Sequence, residues 1–271
     1  MTTPPPNDLS DLQPEIGPAA RRRLRVEIAI VLALSLGASA VYALVAFVHD
    51  LVDLVVASTP ISDQTASINP SLSTQEAFDL VYQLLAFAFG LAPVALALYL
   101  LWPPGLSPFA RFGLDRRRPR FDLGVGLLLV PIIGIPGIGV FLLGRLLGIT
   151  VDLSTNGLGA YWWSIPVLIL SALRAALVEE VIVVGYLFTR LREFGWRTWA
   201  IIVASALLRG SYHLYQGVGA FVGNAAMGVL FGWVYTKWGR TMPLVITHFI
   251  LDVVSFVGYP LLRMWFPALL S

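Results

Sequence analysis

The chain has 271 residues, of which 57% are hydrophobic and only 13% charged, and it contains no cysteine; its mean hydropathy is +0.79. Such values lie outside the range of soluble globular domains and define a polytopic membrane protein. The missing cysteines exclude a disulfide framework, a thiolate nucleophile and any Cys-ligated metal, and a formal charge of +2, gathered in short arginine clusters, argues against a nucleic-acid-binding face.

Residues 1–20 are Pro-rich and polar without apolar periodicity and are expected to form a disordered cytoplasmic tail. Residues 21–271 read as one transmembrane domain. Arg21-Arg22-Arg23-Leu24-Arg25 precedes an apolar run to Val48; Ala38-Ser39-Ala40 resembles a cleavage site, but the run continues past it, so a retained first span is predicted. Further spans are predicted near 79–102, 122–148, 161–189, 198–214, 219–236 and 241–258, with a short segment around 260–270 as an eighth candidate. The fold class is therefore all-α, a polytopic helical bundle of about seven or eight membrane helices.

Short loops carrying Arg111, Arg116 to Arg118 and Arg120, then Arg190, Arg192 and Arg197, then Lys237 and Arg240, alternate with loops holding Asp50, Asp53 and Asp63, then Asp152. Positive loops stay inside, which places the N-terminus in the cytoplasm of an integral membrane protein, with a bacterial plasma membrane as the expected setting. The Gly219/Gly223 and Gly228/Gly232 pairs predict close helix packing on the sixth span. Pro131 and Pro136 predict a kinked third span whose freed carbonyls need partners.

Ionisable side chains at membrane depth cost about 2.5–3.5 kcal/mol each at a helix centre, so each is a candidate functional group. Glu179 and Glu180 interrupt the apolar run from Tyr161 to Phe188. Ending the fourth span at Val178 would push Val181 to Phe188 into water, whereas one helix to Arg190 keeps them in lipid. Arg209 and His213 share a face of the fifth span, and His248 and Asp252 share a face of the seventh. At about 1.5 Å per residue from the arginine-rich ends, the glutamates, His213 and His248 lie roughly 10–22 Å deep and can meet in one cavity, expected to open to the cytoplasm. His49, the third histidine, falls at the outer end of span one and is read as interfacial.

The order Glu-Glu, then a His beside a Gln-Gly turn, then a Gly-rich span, then a His with a polar residue four later, resembles the CPBP family. That family includes CAAX prenyl proteases and bacterial Abi or bacteriocin-processing relatives, which are all-helical intramembrane endopeptidases. The resemblance covers roughly residues 160–258. The family's first motif is Glu-Glu-x-x-x-Arg, usually with an aromatic before the Arg and a Gly after it; Glu179, Glu180 and Gly185 fit, while Val183 and Val184 replace the aromatic and the Arg. In the second, Phe-x-x-x-His, His213 fits and Arg209 replaces the Phe. In the third, His-x-x-x-Asn, His248 fits and Asp252 replaces the Asn.

Two departures read as one exchange. Val184 lies one turn from Glu180 and Arg209 one turn from His213 on an antiparallel neighbour, so Arg209 is expected to supply from the next helix the guanidinium that position 184 lacks. The resemblance implies that Glu179 and His213 activate a water, with His248 and the polar residue after it stabilising the oxyanion. Ionised Asp252 can only accept hydrogen bonds, which leaves it protonated, orienting His248, or beside a metal. The general-base scheme requires no cofactor; the metallopeptidase alternative would use Glu179, His213 and His248 as zinc ligands. The expected partners are the lipid bilayer and a peptide or membrane-protein substrate whose identity the sequence leaves open. Two other readings stand beside the hydrolase: a non-catalytic pseudoprotease, scaffold or immunity protein that keeps the charge cluster for folding, and a proton-coupled transporter, whose repeated broken helices the sequence lacks.

Overall fold

The computed structural model describes residues 17–105, 107–154 and 157–258. The predicted tail up to residue 16 and the eighth segment at 260–270 lie outside the described residues. Helix follows helix throughout: α1 (Pro18–Ala33), α2 (Leu36–Val56), α3 (Glu76–Gly90), α4 (Ala92–Leu100), the short α5 (Pro108–Arg111), α6 (Pro119–Leu146), α7 (Ser164–Glu179), α8 (Leu187–Glu193), α9 (Thr198–Tyr212), α10 (Val218–Trp238) and α11 (Met242–Val253). A π-helical stretch, Glu180–Tyr186, joins α7 to α8 without a break, and a second, Val254–Gly258, extends α11.

Among the described residues, four helical runs are long and apolar enough to cross a membrane: Leu36–Val56, Glu76–Leu100, Pro119–Leu146 and Val218–Trp238. The first three expose most of their apolar side chains, as lipid-facing helices do. By contrast Glu180 to Phe188 is buried at every position, so this stretch forms the axis about which the bundle packs. Val184, Leu187 and Phe188 join Ile201 and Ile202 of α9, Phe231 of α10 and Leu244 of α11 in the largest apolar cluster. The helical run Ser164–Glu193 thus continues through both glutamates and beyond.

The N-terminal reading needs correction. The single span predicted from Arg21 to Val48 is two helices, and helix already begins at Pro18, inside the tail expected to be disordered. Leu34 and Ser35 break the run: the Ser35 hydroxyl donates to the Val31 carbonyl at 2.6 Å, drawing the chain out of the α register. Gly37 allows the turn, since a Cβ there would lie 2.7 Å from the Leu32 carbonyl oxygen. Both prolines of α6 are accommodated within one helix, where the Thr247 hydroxyl donates to the Gly126 carbonyl at 2.9 Å, five residues before Pro131.

Each end of the bundle is tied by polar contacts. At the arginine-rich end, Arg240 grips Asp122 with two bonds of 2.6 and 2.7 Å and donates to Asp115 at 3.0 Å, while Thr241 donates to the Phe112 carbonyl. Arg190 joins α8 to Glu27 of α1 and to the Leu100 carbonyl, and the Tyr186 hydroxyl donates to the same Glu27 oxygen. At the other end, β1 (Thr65–Ser67) and β2 (Asp152–Ser154) pair in parallel, and the Val151 amide donates to the Gln216 carbonyl. The aspartate-bearing loops therefore meet at one end, as the alternation of loop charge requires.

Burial alone would raise the Asp115 carboxyl, but the Arg117 amide and the Arg240 guanidinium outweigh it and hold the group below its usual range. A depressed folded-state pKa stabilises the fold fully above the unfolded value near 3.9 and ceases to do so as pH falls through the folded value. Thermal melts in detergent between pH 6 and pH 3 should therefore show a steeper acid loss for the wild type than for Asp115→Asn. Parallel curves would contradict this assignment.

Candidate functional site

Three helical runs bring the polar groups together. Glu179 ends α7 and Glu180 opens the π stretch; Arg209, Tyr212 and His213 come from the end of α9; His248 and Asp252 come from α11. The π turn widens the helix where the carboxylates leave it, a device common at functional sites. It also frees backbone groups, and the Ser205 hydroxyl of α9 donates to the Val183 carbonyl at 2.9 Å.

Arg209, fully buried, lies between both carboxylates. Its Nη2 donates to Glu180 Oε1 at 2.6 Å, and its Nη1 lies 3.3 Å from Glu179 Oε2. The guanidinium also sits 5.3 Å from the centre of the Phe231 ring, a favourable cation–π placement. Close approach of α10 makes this enclosure complete: a Cβ on Gly228 would meet the Ala206 backbone at 2.8 Å and Arg209 Cδ at 3.3 Å. The cross-helix pair expected for Arg209 and Glu180 is thus present in the geometry.

His248 has a carboxylate at each ring nitrogen. Nδ1 is 2.7 Å from Glu180 Oε1 and Nε2 is 3.5 Å from Asp252 Oδ2. Only the doubly protonated ring offers a donor to both. Asp252 accordingly stands where it can orient His248. The expectation that His248 and Asp252 supply oxyanion donors meets a difficulty here, because both ring nitrogens already face carboxylates.

Glu179 is held differently. Its Oε2 accepts the Tyr212 hydroxyl at 2.7 Å and faces Arg209, whereas Oε1 faces His213 Nε2 at 3.9 Å. That separation exceeds a hydrogen bond, so the carboxylate and the imidazole address the same small space without bonding to each other. Behind the ring, Gln216 Nε2 lies 3.5 Å from His213 Nδ1 and donates to the Tyr215 hydroxyl at 2.8 Å. Tyr212 and Gln216 were not among the sequence candidates. Tyr212 adjoins His213 at the end of an amphipathic helix, and nothing in its spacing separates a buried phenol with a carboxylate partner from an ordinary core tyrosine. His49 takes no part: it lies on α2 with a mostly exposed side chain, 3.9 Å from Asp53.

The donor set also bears on a metal. Ligand atoms of Glu179, Glu180 and His248 lie within 4.8 Å of one another. A divalent ion bound there would sit against the Arg209 guanidinium, which is permanently charged and already pairs both carboxylates. The zinc alternative of Glu179, His213 and His248 fares no better, because Arg209 faces one ligand directly and His248 is engaged by Glu180 and Asp252. These residues do not suit a divalent cation.

Fold and site define a polytopic helical membrane protein with a buried carboxylate–guanidinium–imidazole cluster at its centre. Residues 161–254 match the family model of type II CAAX prenyl endopeptidases of the Rce1-like kind, a segment that contains Glu179, Glu180, Arg209, His213, His248 and Asp252. This match over residues 161–254 supports the resemblance to the CPBP family of CAAX-type intramembrane proteases. No curated protein and no solved structure matches it.

Proposed function

We propose that the protein is an intramembrane endopeptidase that hydrolyses a peptide bond in a membrane-associated substrate. The observation that carries this reading is the arrangement of Glu179 Oε1 and His213 Nε2, which face each other 3.9 Å apart within the largely buried cluster. A water held by both gives its proton to Glu179 as its oxygen attacks the scissile carbonyl, and the proton passes on to the departing amine as the C–N bond breaks. Arg209 compensates the paired carboxylates and leaves Glu179 as the base. His248, oriented by Asp252, fixes Glu180 and the Arg209 position behind it. Among substrates, the family points to prenylated C-terminal peptides, with other membrane-anchored tails as the wider class. In this reading the arginine-rich end faces the cytoplasm, as positive loops do, and the substrate chain enters from that side.

The test uses the full chain in liposomes with farnesylated and unmodified C-terminal peptides, the products being identified by mass spectrometry. Cleavage that disappears in His213→Ala is expected, and cleavage indifferent to that change would overturn the reading. Because Arg209 already compensates the carboxylates, prolonged treatment with EDTA or 1,10-phenanthroline should leave the rate within about twofold of the untreated enzyme, whereas removal of a catalytic zinc would abolish it. Restoration of a lost rate by added zinc would reverse this prediction.

A further inference from the structure

Tyr212 is the last residue of α9, 5% exposed, and it takes no part in the water activation described above. Its ring packs with Leu36 of α2 and Val183 of the π stretch, so two elements on either side fix it. Its hydroxyl donates to Glu179 Oε2 at 2.7 Å. Arg209 Nη1 faces the same oxygen at 3.3 Å, while among the described residues Oε1 has no donor nearer than His213 Nε2 at 3.9 Å. One carboxylate oxygen is therefore tethered and the other is presented.

A carboxylate on a glutamate side chain turns easily about its terminal torsion, whose wells are broad. Arg209 alone does not prevent this turning, since its short bond goes to Glu180 and its 3.3 Å approach to Glu179 is loose. A phenol locked by its own packing supplies the missing constraint. We propose that Tyr212 is a positioning residue, whose hydroxyl pins one oxygen of Glu179 so that the other faces His213. The proposal rests on Glu179 being the base of the peptidase reading. It also gives the N-terminal helices a share in the reaction. Leu36 stands just after the α1–α2 break, outside the segment that matches the protease family, and it buttresses the Tyr212 ring.

The experiment compares the full chain in liposomes with Tyr212→Phe, which removes only the hydroxyl, and with 4-aminophenylalanine at position 212, which returns an N–H donor. Loss of a hydrogen bond to a charged group predicts a fall in kcat of about 10- to 100-fold in Tyr212→Phe, with KM within about twofold. The 4-amino variant should recover most of that fall. A second readout needs no turnover. The carboxylate stretch of Glu179, isolated as the infrared difference between wild type and Glu179→Gln, should shift and broaden in Tyr212→Phe and return in the 4-amino variant. An unshifted band, or a kcat equal to that of the wild type, would overturn the proposal. If the wild type shows no Glu179-dependent cleavage, the peptidase reading fails, and the infrared band still decides whether Tyr212 holds the carboxylate.

Discussion

Glu179→Gln should lower peptide hydrolysis by between about a hundredfold and ten-thousandfold, the range that a positioned general base contributes. The substitution keeps the side-chain volume and leaves an amide oxygen for the Tyr212 hydroxyl, now 2.7 Å from Glu179 Oε2. What it removes is the basic oxygen facing His213. The variant should fold and melt close to the wild type, so the loss can be read as chemistry. Single-turnover cleavage in liposomes measures it. A rate within about fivefold of the wild type would show that Glu179 is not the base, whereas a wild type that cleaves nothing would favour a pseudoprotease or scaffold.

The largest loss of stability is expected from Arg209→Phe. The residue is fully buried, pairs with Glu180 at 2.6 Å and faces Glu179 at 3.3 Å. Removing one partner of a buried pair strands the other charge, at a cost of about 3–5 kcal/mol. Arg209→Phe should therefore melt far below the wild type in detergent, and adding Glu180→Gln should recover part of the loss because it withdraws the stranded charge. Arg209→Lys should fall between them, since a single ammonium cannot span two carboxylates as a guanidinium does. A near-normal melting temperature for Arg209→Phe would show that the pair contributes little to the fold.

Much of this site was legible in the sequence because burying charge in an apolar run leaves few interpretations. Glu179 and Glu180 could sit between Tyr161 and Phe188 only if partners reached them, and helical spacing put Arg209 and His213 on one face and His248 and Asp252 on another. The pairing of Arg209 with Glu180 followed from the arginine that the resembled motif would place at position 184, together with the matching depth of Arg209 on the antiparallel neighbour. Hidden in the sequence were details that depend on side-chain torsions and backbone register. The Tyr212 contact needs the ring packing of Leu36 and Val183, which come from residues far apart in the chain. The break at Leu34 and Ser35 was missed because apolar residues run through it, and hydropathy does not register a serine hydroxyl captured by the carbonyl four residues back. The π stretch after Glu180 left no hydropathic trace either, since every residue from Val181 to Phe188 is apolar or small and all are buried.

The π stretch at Glu180–Tyr186 amounts to a surplus residue stored in the axial helix. Deleting one residue there would restore ordinary α geometry and leave the helix after it in nearly its present orientation, because the wider π turn has already absorbed the extra residue. Tyr186 and Arg190 would then still reach Glu27, to which they now bond at 3.0 and 2.6 Å, and Phe188 would still enter the α9–α10 core. What the deletion would remove is the widened turn from which the carboxylates leave the helix. The surplus residue thus serves the site rather than the bundle, and its loss should disturb the cluster while sparing the fold.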